Sequence, residues 1–142
     1  MAKKSAIDHV QDTKKQVKIV QSLPDGIKWA HEGASMVVST PMEVDQLMAT
    51  VPKGKLTTSD RLRANLAQKH KTDYACPMST GIFINISSKA ATERLEMGAD
   101  LTEVTPYWRT LKTGGELNPK FPGGLEGHAT KLEAEDHVIH RK

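Results

Sequence analysis

The chain has 142 residues, a net charge of +3 and a pI near 9.0. This length suits one domain with a real hydrophobic core, and the mild positive charge is compatible with a polyanionic partner without indicating one. No apolar run approaches the length of a membrane span, the start lacks the apolar core of a secretory signal, and the single cysteine excludes an intramolecular disulfide and a cysteine-cluster zinc site. We therefore expect a cytoplasmic protein with no cofactor and no membrane association.

The first segment, residues 1–35, is polar and basic at its start. Residues 1 to about 22 predict either a short helix that docks on the domain or a mobile basic arm that contacts phosphates. Residues 23–26 read Leu-Pro-Asp-Gly, which predicts a turn. We treat residues 36–142 as the domain proper.

Two helices are predicted after a short strand at residues 36–39. The first opens with Thr40 as its N-cap and Glu43 completing a capping box, and Pro52 ends it. The second is capped by one of residues 57–59 and continues to about Lys71. Its inward side chains are expected to be Leu62, Leu66 and Ala67.

A third, longer helix is predicted from about Pro77 to Met97, closed by Gly98. The second and third helices together predict a helix-turn-helix variant, in which the N-terminal residues of the third helix would reach base edges. The exposed arginines Arg61 and Arg63 on the second helix can contact phosphates, although such a charged side is more often only solvated.

Residues 105–117 contain an aromatic pair followed by a turn at residues 113–115. If the segment is extended, Tyr107 and Trp108 point to opposite faces, so one ring can fill the core while the other lines a surface pocket. The alternative is that both rings only pack beside a hairpin turn. A last helix is predicted over residues 124–136, followed by a short strand at residues 137–140.

Metal and thiol chemistry receive little support from the sequence. The spacing of His128, His137 and His140 fits no strong metal pattern, so we expect solvated surface histidines. Cys76 precedes a helix N-terminus, where a thiol pKa is lowered, but a lone small cysteine is more often a packing residue.

The motifs of the second half resemble those of the alkylguanine-DNA alkyltransferases. Pro106 and Arg109 match the family's Pro-Cys-His-Arg signature, and residues 121–125, Phe-Pro-Gly-Gly-Leu, continue the match to the closing helix near residues 134–137. Upstream, residues 51–58 resemble the family's approach to its first DNA-contacting helix. The resemblance implies an α+β, mainly helical single domain with a winged-helix-like helix-turn-helix variant and a short β-hairpin, like the family's C-terminal domain.

The resemblance also implies lost chemistry. Tyr107 replaces the acceptor cysteine and Trp108 replaces the histidine of the proton relay, while Glu135 aligns with the relay glutamate. Ser59 stands where the family usually has a tyrosine, and the arginine that intercalates is missing, although Met78 could act as an apolar wedge. The lost nucleophile resembles the alkyltransferase-like branch, which binds alkylated DNA without repairing it, but the missing histidine, tyrosine and arginine do not.

The sequence therefore predicts a monomeric, non-catalytic protein that binds double-stranded DNA, with recognition of alkylated guanine as a further expectation. The alternative is a protein- or RNA-interaction module on the same fold; an enzyme using Cys76 ranks third. The expected lesion-pocket residues are Tyr107, Trp108, Arg109 and Glu135. The expected DNA-binding residues are Thr58, Ser59, Arg61, Arg63, Met78, Ser79 and Thr80.

Overall fold

The computed structural model describes residues 5–139. Within this range the chain forms an α+β domain of five α-helices and five short strands. The helices are α1 (Ala6–Val10), α2 (Pro41–Ala49), α3 (Ser59–Lys69), α4 (Pro77–Glu96) and α5 (Gly124–Glu133). The strands are β1 (Lys18–Val20), β2 (Met36–Val38), β3 (Thr57–Thr58), β4 (Tyr74–Ala75) and β5 (Thr110–Leu111). Two 3₁₀ turns span Leu101–Glu103 and Tyr107–Arg109.

The strands form two small sheets. The first has the order β1-β2-β4, with β1 antiparallel and β4 parallel to β2. The second is the parallel pair β3–β5, in which Thr57 lies opposite Thr110 and Thr58 opposite Leu111. This second pair brings the start of α3 next to the segment that follows the Tyr107–Arg109 turn.

The core lies between α2, α3 and α4 and extends to the Tyr107–Arg109 turn and α5. The inward side chains predicted on α3, Leu62, Leu66 and Ala67, are all buried. Burying a leucine side chain contributes roughly 1.5–3 kcal/mol to folding stability, so the two leucines of this face stabilise the packing of α3 on the neighbouring helices. The other large core side chains are Val44, Met48, Ile84, Tyr107, Trp108, Phe121 and Leu132.

The predicted boundaries of α3 and α4 are confirmed to within a residue or two. Thr58 caps α3, accepting a hydrogen bond from the Arg61 N–H at 3.4 Å. The long helix α4 starts at Pro77 and is followed by Gly98, whose φ of +96° is the left-handed conformation expected after a helix.

The capping box predicted for α2 forms only in part. Thr40 accepts a hydrogen bond from the Glu43 N–H at 3.1 Å, as expected. The Glu43 carboxylate turns instead to Ser39, Lys69 and His70, and so ties α2 to the end of α3. Burial opposes ionisation of Glu43, but the hydrogen bonds from these three partners outweigh it and lower its pKa.

Of the two structures predicted for the N-terminal segment, a docked helix or a mobile arm, residues 6–10 form the docked helix α1. The Glu93 carboxylate on α4 accepts hydrogen bonds from the Ala6 and Ile7 N–H groups at 3.1 and 3.0 Å. Ala6 and Val10 are buried against Ala90 of α4. Because a carboxylate at a helix N-terminus is favoured by the helix dipole, Glu93 stabilises both the helix and its position.

Three expectations about the second half are wrong. Tyr107 does not lie in a strand, because the chain turns tightly there, with the Arg109 N–H bonded to the Pro106 carbonyl at 3.1 Å. The last helix ends at Glu133 rather than near residue 136. Residues 137–139 form no strand, and His140 lies outside the described residues.

Within residues 5–139, no helix has both the length and the apolar character needed to cross a bilayer.

Candidate functional site

The aromatic pair at the centre of the predicted site is buried. Tyr107 is 2% exposed and Trp108 is 3% exposed. Their rings meet edge to face at 5.2 Å between centroids, and Tyr107 makes a second such contact with Phe121 at 5.0 Å. Tyr107 therefore fills the core. Trp108 is buried as well, but it lines two adjoining clefts, so the expectation of one core ring and one pocket ring agrees with the structure although neither ring is exposed.

Arg109 and Glu135, both expected in the lesion pocket, form an ion pair. The guanidinium donates from Nε to Glu135 Oε1 at 3.0 Å and from Nη2 to Oε2 at 2.6 Å, and its Nη1 donates to the Val51 carbonyl at 2.8 Å. These hydrogen bonds lower the Glu135 pKa, burial opposes them, and the nearby Trp108 indole lowers the pKa further. The pair joins the end of α5 to the 107–109 turn and to the loop after α2.

The chemistry of Tyr107 is limited by its position. Burial raises the pKa of its hydroxyl above the ordinary value of 10.0, although a hydrogen bond with Thr92 opposes this. The phenol is therefore neutral near pH 7. Trp108 carries an indole N–H that only donates, so it cannot act as a base.

His128 is a buried side chain of the site, and the expectation of a solvated surface histidine is wrong for it. It is fully buried on α5, where its Nδ1 accepts a hydrogen bond from the Asn118 N–H at 3.0 Å and its Nε2 contacts the Trp108 carbonyl at 2.8 Å. Because a carbonyl only accepts, Nε2 carries the proton and the ring is neutral. Burial lowers the pKa of His128, with the Trp108 carbonyl opposing. The sequence signal was its spacing of four residues from Leu132, the period of one helix face.

The residues expected to contact DNA are only partly exposed. Met78, at the start of α4, is 75% exposed, and Arg61 is exposed on α3. Arg63 is half-buried. Thr80 is buried and donates its hydroxyl to the Cys76 carbonyl at 2.7 Å, so the expectation that it faces DNA is wrong.

The two other small polar residues of this surface contact the protein itself. Ser79 bonds weakly to the Cys76 carbonyl at 3.5 Å. Ser59 lies 3.2 Å from the Thr113 hydroxyl, which links the start of α3 to the turn after β5.

A cleft of about 300 Å³ runs along the first half of α4, between the helix and the loop before α5. We call it the α4 cleft. Asn118 donates its amide to Asn85 at 3.2 Å across it. Its other principal lining residues are Met78, Ile82, Lys112 and Lys120.

Most of the α4 cleft was missed by sequence reasoning. Ile82 and Asn85 follow Met78 at helical spacing of four and seven residues, and that period was the signal that could have identified them. No local pattern connects Asn85 with Asn118, which lies 33 residues later.

The described residues offer no obvious centre for metal chemistry. Within residues 5–139, no three His, Cys, Asp or Glu side chains form a group that could hold a metal ion. Cys76 is half-buried at the N-cap of α4, and its side chain makes no capping hydrogen bond there.

The described residues form a small α+β domain in which Ser59, at the start of α3, and the first half of α4 line the same cleft. Comparison with known proteins found no matching family model, no matching curated protein and no matching solved structure.

Proposed function

We propose that this protein is a non-catalytic, alkyltransferase-like DNA-binding protein. It binds duplex DNA as a monomer through the surface formed by α3 and the first half of α4, inside the cell in the cytoplasm. Recognition of alkylated guanine is part of this proposal.

The observation that carries the proposal is the lining of the α4 cleft. Met78 is 75% exposed and Ile82 is 51% exposed, so two large apolar side chains project from the start of a helix. Lys112 and Lys120 lie at the same cleft. Lysines favour phosphates, and apolar side chains that insert between bases kink a duplex, so the combination suits DNA better than a small soluble ligand.

Two further contacts support the alkyltransferase-like part of the proposal. The two separated segments that carry the resemblance, residues 51–58 and 105–117, lie side by side through the parallel pair β3–β5. Glu135, which aligns with the relay glutamate, contacts Arg109 of the signature.

The non-catalytic part rests on Tyr107 and Trp108. Methyl transfer by this segment needs a nucleophile and a base, whereas Tyr107 is a buried neutral phenol and Trp108 carries no basic nitrogen. DNA binding without transfer is the activity that these residues permit.

The test is fluorescence anisotropy with one labelled duplex, with and without a central alkylated guanine, at two salt concentrations. Lys112→Ala and Lys120→Ala should each lower the slope of log K against log salt by about 1. Lys28→Ala, which removes the same charge from the exposed segment before β2, should leave the slope unchanged.

Asn85→Ala tests lesion recognition, because it alters the cleft without disturbing the buried aromatic pair. Tighter binding to the alkylated duplex that is lost in Asn85→Ala supports a damage-sensing cleft. Equal, salt-sensitive binding to both duplexes leaves a general DNA-binding domain. Absence of binding at low salt excludes the nucleic-acid proposal.

A protein-interaction module is the second candidate, because one large groove is apolar. This groove of about 700 Å³ lies between β5 and the end of the described chain, and Leu56, Leu125 and Val138 are exposed along it. An apolar peptide would bind there with little salt dependence, whereas DNA binding weakens steeply as salt rises.

A further inference from the structure

A second cleft lies against Trp108, where α5 meets the 3₁₀ turn Leu101–Glu103. We call it the Trp108 cleft. It encloses about 280 Å³, and an adjoining cavity of about 340 Å³ shares Leu101, Thr102, Trp108 and Arg109 with it. The residues that carry the argument are Lys53, Leu101, Trp108, Lys131 and Ala134.

The charge of the Trp108 cleft is positive. Arg109 and Glu135 both line it, but they are held together by two short hydrogen bonds and neutralise each other. Lys53 and Lys131 have no ion pair within residues 5–139. The Lys131 ammonium lies 5.6 Å from the centroid of the Trp108 ring. Lys53 and Lys131 therefore both line the cleft without an ion-pair partner among the described residues.

A buried hydrogen-bond donor lies at the same place. Trp108 Nε1 is buried without a hydrogen bond of normal geometry, although Glu135 is close enough for the indole to lower its pKa. This nitrogen has almost no exposed surface, so its nearest acceptor is the Glu135 carboxylate and the cleft must hold a ligand through its other residues.

The remaining lining residues are mainly apolar, with two threonines, Thr102 and Thr130, among them. Leu101 is 45% exposed, and Ala134 and Trp108 line the cleft beside it. A ligand that satisfies both parts of the cleft needs an anionic headgroup and an apolar body.

We propose that the Trp108 cleft binds a small organic anion, with a carboxylate or phosphate headgroup near Lys53 and Lys131 and an apolar ring or chain against Leu101 and Trp108. The site involves different residues from the α4 cleft and does not depend on DNA binding.

The two tryptophans of the chain allow a direct test, because Trp29→Phe leaves Trp108 as the only tryptophan. The Trp29→Phe protein is titrated at constant ionic strength with benzoate and with phenyl phosphate, and Trp108 emission is recorded. Benzamidine, which has the same ring with a positive charge, is the charge-reversed probe. We expect a saturable change with at least one of the two anions and none with benzamidine.

Lys53→Ala/Lys131→Ala, made in the Trp29→Phe background, should weaken anion binding at least 10-fold. Lys120→Ala, which removes a lysine from the other cleft, is the matched control and should leave the affinity unchanged. Circular dichroism of each variant checks folding, and Lys131→Gln replaces the double variant if that protein unfolds, with a weakening of at least threefold expected.

Three results overturn the proposal. The first is no saturable change in Trp108 emission with either anion up to about 10 mM, a concentration that corresponds to a binding free energy of roughly 3 kcal/mol. The second is an equal response to benzamidine, and the third is an unchanged anion affinity in the folded lysine variants. Inorganic phosphate separates the two parts of the site. A weaker response to phosphate than to phenyl phosphate supports the apolar wall, and an equal response contradicts it.

Discussion

Replacing His128 with leucine tests the buried polar contact between α5 and the 107–109 turn. Leucine is an apolar side chain of similar size that fills the same space on the helix but lacks both ring nitrogens. The Trp108 carbonyl loses its 2.8 Å partner and the Asn118 N–H its 3.0 Å partner. An unpaired buried group costs about 1–3 kcal/mol, and the Asn118 N–H is only part-buried, so we expect His128→Leu to lower the free energy of unfolding by about 2–4 kcal/mol.

The same variant should change the pH dependence of stability. Burial lowers the pKa of His128 below its ordinary value of 6.5. Below about pH 6.5 the unfolded chain therefore binds a proton that the folded chain does not, so the native protein loses stability as the pH falls, by up to about 1.4 kcal/mol per pH unit from this residue. His128→Leu removes this contribution, so the stability difference between the two proteins should shrink from pH 7.5 to pH 5.0.

The assay is equilibrium unfolding in urea, followed by far-ultraviolet circular dichroism at both pH values. His31→Leu, which removes an exposed histidine that contacts the Tyr74 hydroxyl and ring, is the control for a general histidine effect. A loss below 0.5 kcal/mol at pH 7.5 in His128→Leu, taken as about the size of an ordinary surface substitution, would refute the reasoning. So would a difference from the native protein that stays constant with pH.

Five more substitutions test other parts of the fold. Arg109→Met leaves Glu135 without its partner and should lower the free energy of unfolding by about 1–3 kcal/mol, between the values for surface and buried pairs. Because the Glu135 pKa is lowered, Glu135→Gln should be less stable than the native protein chiefly above pH 4.5. Thermal unfolding at pH 7 and pH 3 checks this, and a larger difference at pH 3 would contradict it. Gly127→Ala places a Cβ 2.6 Å from the Pro122 carbonyl oxygen and should destabilise the protein by about 1–3 kcal/mol. Gly81→Ala meets open space within α4 and should stabilise the protein by about 0.5–1 kcal/mol. Unfolding midpoints in urea equal to that of the native protein would contradict both. Glu93→Gln should speed hydrogen exchange in the first turn of α1 while changing the global midpoint little, and unchanged exchange there would exclude its capping role.

The sequence was informative where the signal is local. Thr40 was identified as a cap, and the cap of α3 was narrowed to residues 57–59, because a side-chain oxygen before an amphipathic run satisfies free helix N–H groups within three residues. Gly98 marked the end of α4 for the same kind of local reason, since its positive φ suits glycine. Each of these positions marks one end of a helix, and the sequence alone is enough to locate it.

The site was harder to predict because its contacts are distant in sequence. Arg109 bonds to a carbonyl 58 residues earlier and to Glu135, 26 residues later. The chain turns tightly at residues 107–109, where an extended segment would have placed the two rings on opposite faces, and both aromatic rings are buried. His128 was misjudged because its two backbone partners come from the turn and from the loop before α5, neither of which a helical pattern reveals.

The 107–109 turn lines the Trp108 cleft through Trp108 and Arg109 but does not line the α4 cleft, and this determines which substitutions can test the two sites. Tyr107 packs on Phe121, and Thr92 of α4 opposes the rise of its pKa, whereas the Lys131 ammonium lies 5.6 Å from the centroid of the Trp108 ring. Truncating either ring would remove a buried aromatic side chain, which typically costs 3–5 kcal/mol and approaches the whole stability of a small domain. Loss of binding in such a variant would therefore report unfolding. Substitutions at the rims keep the core intact, so a loss of DNA binding confined to the α4 cleft and a loss of anion binding confined to the Trp108 cleft can be assigned to separate sites.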